Sequence, residues 1–433
     1  MGRTNDIGNY RFFEYYAIFL TLCQVTAVSI FVDEDLYSFV IRLGILIFIP
    51  FFSPYLKKDL NLAGLLYCGA ITLGFIFHRV QGLDVKLFGE ALIRIVPILI
   101  ILHYNDSCNY PNKRIRLFAL SFYILECVLA VYERLTLDHL IDFNSSSQAM
   151  NANMYLSEDF RSFSLLGHPL RNANTVSIML AFVLCSNTIK PVFKVLLVLI
   201  GLGAIWAFNS RACMVMWLVI IFYRLFLYGK SLKWMLTSIG ILLIVLPSVF
   251  LYVQKTAILG RLTFDFSDGS SLTRIMAVEI FLSHPWSLSE ILMGGTILEQ
   301  PTFSRVAGVA DYVNIENGYL FDLGYWGFLL GSIKIWGEMI ISYQALRYFQ
   351  LKDKVIVMIA LWGVAVMNNN TAFTFLMPFF MCSYLAFGIN QPKVAMKPKL
   401  LILIQVSQVP NLRNLNDDFT QYHDGTRATE MNS

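Results

Sequence analysis

The run WMLTSIGILLIVLPSVFLYV, Trp234 to Val253, holds 20 residues without a single charge. At about 1.5 Å per residue a helix of that length covers roughly 30 Å, the thickness of bilayer hydrocarbon. A polar stretch follows almost at once, Lys255 to Asn317, reading KTAILGRLTFDFSDGSSLTRIMAVEIFLSHPWSLSEILMGGTILEQPTFSRVAGVADYVNIEN. A membrane-length run that ends in a long watery loop sets the reading of the chain, because spans supply a rigid frame and long loops carry binding and chemistry.

Working outward, further apolar runs fall at 12–32, 36–53, 60–77, 87–104, 115–133, 174–189, 192–208, 212–228, 318–345, 355–370 and 372–389. Together they predict an all-α polytopic membrane protein of about 12 transmembrane helices, since only helices satisfy their own backbone in lipid without a closed barrel. The composition agrees: 57% of residues are hydrophobic and 14% charged, against about a quarter charged in a soluble domain.

Lys and Arg collect at alternate turns, which orients the chain. The inner segments hold Arg3 and Arg11; Lys57 and Lys58; Lys113, Arg114 and Arg116; Lys190 and Lys194; Arg224, Lys230 and Lys233; Arg347, Lys352 and Lys354; and Lys393, Lys397 and Lys399. Both termini are then cytoplasmic, and the large loops at 134–173 and 255–317 lie on the outer face. A transmembrane domain over 1–389 and a basic, partly disordered cytoplasmic tail over 390–433 follow. The net charge of +4 reflects this asymmetry and gives no argument for nucleic acid. The seven cysteines offer no disulfide framework, as most lie within apolar runs.

Four places draw attention to the outer face. Arg161 precedes Gly167-His168-Pro169 at the mouth of the sixth span. Arg211, in Asn209-Ser210-Arg211, stands where positive charge is disfavoured; interfacial snorkelling explains it, and so does a planar two-point grip on a phosphate. Asp268-Gly269-Ser270-Ser271 reads as a helix start with Arg274 in the first turn, where an anion gains from both the guanidinium and free backbone N–H groups. Glu316, at the entrance to the tenth span, is a candidate general base. Asp33-Glu34-Asp35 has the D-x-D spacing of a divalent-cation turn, although short acidic turns also simply mark an outer face. Glu90 and Arg94, four apart, read as a mutually neutralising pair, and Tyr319 and Trp286 as rings for sugar stacking or the interfacial belt.

In order, Arg161 with Gly167-His168-Pro169, Asn209-Ser210-Arg211, Arg274 with His284-Pro285 and Gly294-Gly295, and Glu316-Asn317-Gly318-Tyr319-Leu320 with Gly324 and Gly327 resemble the O-antigen ligase and polymerase superfamily of bacterial membrane glycosyltransferases. The resemblance covers roughly 161–331. It implies a GT-C-like helical enzyme of the bacterial inner membrane that works at the periplasmic face without metal or cofactor. Its donor and acceptor are undecaprenyl-diphosphate-linked glycans, and other polysaccharide export proteins are partners to consider. It assigns Arg211, Arg274 and Arg161 to the lipid diphosphate; for the base that takes the proton of the attacking hydroxyl, Glu316 is the first choice and His168 the second. Glu316-Asn317 stands where the ligase branch carries His-Asn, which favours a polymerase of capsule or O-antigen repeat units over a ligase. A lipid-linked sugar flippase is the competing class, set against the lopsided outer loops and the absence of a sequence repeat.

Overall fold

The computed structural model describes residues 14–25, 62–82, 101, 113–141, 160–227, 269–295, 317–363 and 376–388, and of 62–63 and 269–274 the backbone alone. All of these belong to one compact unit, Met1–Pro392. The runs at 36–53 and 234–253, nearly all of 87–104, and the tail over 390–433 lie outside the described residues. So do Glu316, Asp33-Glu34-Asp35, Glu90 and Arg94.

The described regular structure is entirely helical: α1 Leu62–Val80, α2 Lys113–Thr136, α3 Pro169–Cys185, α4 Pro191–Ala207, α5 Arg211–Phe222, α6 Gly269–Ser283, α7 Leu288–Met293, α8 Gly318–Trp326, α9 Phe328–Ala345, α10 Leu351–Trp362 and α11 Leu376–Ser383. A further helix covers 14–22, and π-helical turns extend α5 and α11. Most boundaries fall within a few residues of the apolar runs. Only α2 is both long and apolar enough to cross a membrane by length and composition; residues 64–80, α3, α4 and 376–388 are apolar but shorter. The expectation of twelve full-length spans is thus larger than the described helices carry.

Helix α3 is the axis of the bundle. Pro169 at its first position has its backbone angle fixed for a helix start and no N–H to leave unpaired. Fourteen of its 17 residues are buried, so it has no outer face on which to place its polar side chains. They pair inward: the Cys213 thiol donates to Asn174 Oδ1 at 3.3 Å and the Trp217 indole to Ser177 Oγ at 3.0 Å. At its far end Lys194 Nζ donates to the carbonyls of Leu184 (3.1 Å) and Ser186 (2.7 Å), covering orphan acceptors of the last turn with a cation.

Side-chain contacts fix the directions of the neighbours. Residues 174 and 177 of α3 match 213 and 217 of α5, so these helices run parallel. The Ser162 amide donates to the carbonyl of Ala207, which brings the end of α4 to the start of α3. The Cys185 thiol reaches the carbonyl of Asp353 at 3.7 Å, so α10 begins where α3 ends. The Arg116 guanidinium meets the carbonyl of Ala386, placing the start of α2 beside the end of the 376–388 segment. One end of the bundle therefore gathers Lys113, Arg114, Arg116, Lys190, Lys194, Arg224, Arg347, Lys352 and Lys354, and the opposite end gathers the segment 160–168 and the turn 207–211.

The run at 318–345 is not a single span. It reverses at Gly327 into a hairpin of α8 against α9. A Cβ at Gly331 would lie 2.8 Å from the carbonyl oxygen of Asp322, and Lys334 Nζ lies 2.6 Å from Asp322, contacts that pair residues symmetrically about the turn. Gly327 has φ +82° and Gly294 φ +90°, a region that side-chain-bearing residues avoid. The two glycines also face each other: a Cβ on Gly327 would stand 2.4 Å from the Gly294 nitrogen, and one on Gly294 1.9 Å from the Tyr325 oxygen. The Gly295 amide donates to the Gly324 carbonyl at 3.0 Å. The end of the long loop is thus docked backbone to backbone on the hairpin turn. The run at 318–345 reads as one helix in the sequence because hydropathy does not register a reversal.

Helix α7 begins with a capping box, in which Ser287 Oγ accepts from the Glu290 amide while the Ser287 amide donates to the Glu290 carboxylate. Helix α6 extends over Gly269–Ser283, so Arg274 is its sixth residue, in the second turn and not the first. That removes Arg274 from the helix-end position expected for it. Replacement of Gly327 or Gly294 by Ala is expected to cost about 2–4 kcal/mol, from strain at positive φ combined with the collision. Thermal unfolding of the purified protein measures this, and Gly69→Ala, whose added Cβ meets nothing within 4 Å, is the control.

Candidate functional site

The segment 160–168 hangs from the end of α2. Glu133, fully buried, accepts from Ser162 Oγ at 2.5 Å and from the amides of Phe163 (2.8 Å) and Ser164 (3.0 Å) on one carboxylate oxygen, and from the Leu140 amide at 3.2 Å on the other. One face along, seven residues earlier, Glu126 accepts from the Leu165 amide at 3.2 Å. Arg134 donates to the carbonyl of Phe160 and lies over the ring of Trp206, 5.2 Å from its centroid.

This segment delivers Arg161 and His168. His168 is the N-cap residue of α3, and its side chain forms no capping bond. Burial, then Arg171, then Arg161 push its imidazole down to about 4, because each disfavours the cation. The positive end of α3 acts in the same sense. At neutral pH His168 is therefore uncharged, beside two guanidinium groups that stay charged. Arg211 opens α5, the helix parallel to α3, after a turn whose Asn209 has φ +51°. The matching of 174 with 213 puts Arg211 level with the first turn of α3. Arg161, His168 and Arg211 are thus brought to one end of the bundle, where two helix N-termini point the same way.

The remaining expected residues stand apart from this group or beyond view. The long loop packs on the hairpin: Ala277 and Phe281 of α6 bury themselves against Leu320, Phe321, Leu323 and Phe328. Trp286 is engaged in that packing, with its indole donating to the Phe281 carbonyl at 2.9 Å and its ring 5.1 Å from Phe281 and 5.4 Å from Phe328. It is half-buried, packed against the small cluster of Ala277 and Phe281. Tyr319 donates its hydroxyl to the carbonyl of Trp362 at 2.9 Å. A Cβ at Gly363 would approach Met216 at 3.5 Å, five residues into α5.

Hydropathy reading passed over two groups. Arg171 is one; it follows His168 by three residues and so returns to it after one helical turn. The other is a buried ionic cluster inside the hairpin, where Lys334 Nζ lies 2.6 Å from Asp322 and 3.0 Å from Glu338, all three less than a tenth exposed, with the Trp326 ring 5.5 Å away. The signal was present, as three ionisable residues within an apolar run with two of them four apart.

Comparison of the chain with models of known protein families, with characterised proteins and with solved structures returns no match.

Two measurements check this geometry. Lys334→Met leaves two buried carboxylates without their cation and is expected to cost about 3–5 kcal/mol, whereas replacing all three ionic residues by apolar ones of similar size costs much less; thermal unfolding separates these. His168 binds a proton more readily in the unfolded chain, at 6.5, than in the folded one, at about 4. Its contribution to stability is complete above 6.5 and falls as pH drops toward 4, and the difference in pH dependence between wild type and His168→Phe measures it.

Proposed function

We propose that the protein is a polytopic membrane glycosyltransferase that joins diphosphate-linked oligosaccharide repeat units at the outer face of the bacterial inner membrane. The observation that carries this reading is the convergence of Arg161, neutral His168 and Arg211 at the N-termini of two parallel helices. Two guanidinium groups and two helix ends favour an anion, and a neutral imidazole beside them serves as a proton acceptor.

The membrane reading draws on the sides of the bundle as well as its ends. Helix α4 turns Val192, Phe193, Val195, Leu196 and Leu199 outward, each more than half exposed, while α3 inside the bundle carries the asparagines, serine and threonine. A protein in water does the reverse. The helix directions alternate as the distribution of Lys and Arg requires, with nine cations at the end away from the arginine and histidine group.

In the proposed reaction, the hydroxyl of the acceptor unit attacks the anomeric carbon of the donor. The bond from that carbon to the diphosphate oxygen breaks as the new glycosidic bond forms, with inversion in a single displacement. The negative charge that grows on the leaving diphosphate is stabilised by arginines more strongly in the transition state than before it. The proton of the attacking hydroxyl passes to a base, for which Glu316 is the first choice and His168 the second; placement of donor and acceptor supplies the rest of the acceleration. A ligase, which moves the glycan to a different acceptor, uses the same steps.

A flippase is the reading of another class, and the α8–α9 hairpin with its buried ionic cluster favours it, since interrupted helices deep in the membrane are common in transporters. Incubation of the purified protein with a defined undecaprenyl-diphosphate-linked repeat unit separates the three: a ladder of products indicates a polymerase, a single transfer to a second acceptor a ligase, and movement across a vesicle without transfer a flippase. For the polymerase, Arg211→Ala and Arg274→Ala are expected to lower ladder formation by at least a hundredfold with insertion unchanged. Arg→Lys at either position restores little, because the two-point geometry is lost. Normal chain length in both alanine variants overturns the reading.

A further inference from the structure

The segment 160–168 holds itself in a shape that its own sequence does not favour. Ser164 has φ +40° and Gly167 φ +64°, and for serine this conformation is strained. What holds it is external to the segment. The Glu133 carboxylate takes four donors, Ser162 Oγ, the amides of Phe163 and Ser164, and the Leu140 amide, which fills most of the acceptor capacity of its two oxygens. The Ser164 hydroxyl donates to the Glu126 carbonyl at 3.1 Å, one helical face along.

A ring stack closes the same grip from the other side. His139 lies between Phe160, with centroids 4.8 Å apart and planes 20° apart, and Phe163, at 4.3 Å and 5°. Its Nδ1 is 3.7 Å from the Glu133 carboxylate. Asn172, in the first turn of α3, donates its side-chain amide to the Phe163 carbonyl, so the held segment is tied to the helix that His168 caps. A carboxylate at the end of α2 thereby reaches His168 through two links, the segment backbone and Asn172.

We propose that Glu133 is a positioning residue for the outer end of the molecule, its buried carboxylate fixing the 160–168 backbone and so setting where Arg161 and His168 stand. The inference rests on the assignment of those two residues to the diphosphate site. Glu133 touches neither substrate nor reacting atoms in this scheme. It acts through the loop, in the way that an anion is held by a nest of backbone N–H groups, with the roles of host and guest exchanged.

The test uses the full-length protein in lipid nanodiscs with its histidines isotopically labelled. In the wild type the His168 imidazole, pushed down to about 4 by burial and by Arg171 and Arg161, is expected to stay neutral above that pH. In Glu133→Gln, which keeps one acceptor oxygen and turns the other into a donor facing donors, His168 is expected to move up toward its ordinary value of 6.5, the Phe163 and Ser164 amides to exchange at least tenfold faster, and affinity for undecaprenyl diphosphate to fall at least tenfold. Ser162→Ala removes one donor and keeps the carboxylate, and smaller changes in the same direction are expected. An unmoved His168 with unchanged amide protection overturns the proposal, as does a loosened segment that binds undecaprenyl diphosphate as before. Should Glu133→Gln fail to fold, Ser162→Ala decides, and no change there in titration or exchange overturns it. If the wild type binds no undecaprenyl diphosphate, the glycosyltransferase reading falls, while titration and exchange still judge the grip of Glu133 on the segment.

Discussion

The burial of helix Pro169–Cys185 on every side is the constraint from which the rest of the bundle follows. Along its middle this helix cannot turn a polar side chain to solvent, so Asn174 and Ser177 need partners at the right height. Asn174 and Ser177 are met by Cys213 and Trp217 of the parallel helix, and the last carbonyls by Lys194. These pairings do more than stabilise. They set the register of α5 against α3, and so they determine that Arg211 begins its helix at the height where His168 ends the preceding loop.

Charge is distributed along this axis with the same economy. The end where α3 finishes is ringed by cations, and the end where it starts holds Arg161, Arg171 and Arg211. Two glutamates on α2 answer the loop backbone there, and an ionic cluster answers the broken helix. In both places buried charge is tied to an irregular piece of backbone: where the chain turns inside the bundle, a carboxylate or a lysine stands beside the turn.

Much of this was legible in the residues, and the exceptions have physical causes. Helices α2, α3, α4 and α5 coincide with apolar runs because length and hydropathy are local properties. The hairpin at Gly327 was hidden because both of its arms are apolar, and only the pairing of Gly294 with Gly327, 33 positions apart, marks the reversal. The group of Arg161, His168 and Arg211 came through as motifs, since cations and a His-Pro pair at span ends stand out against an apolar background. Glu133 did not, because nothing in the run VYERLT indicates that its acidic side chain will be covered by a loop some thirty residues later. Arg274 was displaced by one helical turn, an error in a helix boundary of the size that local patterns leave open.

The docking of Met293–Gly295 onto the Gly327 turn carries a consequence for how the protein is made. His78, at the end of α1, approaches the Met293 carbonyl at 3.3 Å and lies against the Tyr325 ring, 4.8 Å between centroids. Three parts of the chain meet at this point, the first of them more than two hundred residues before the other two. Synthesis proceeds from the N-terminus, so helix α1 emerges long before either partner exists, and its buried histidine has nothing to bury against until the ribosome has passed Gly327. The early helices must wait with this face open, and the late hairpin is the piece that covers it.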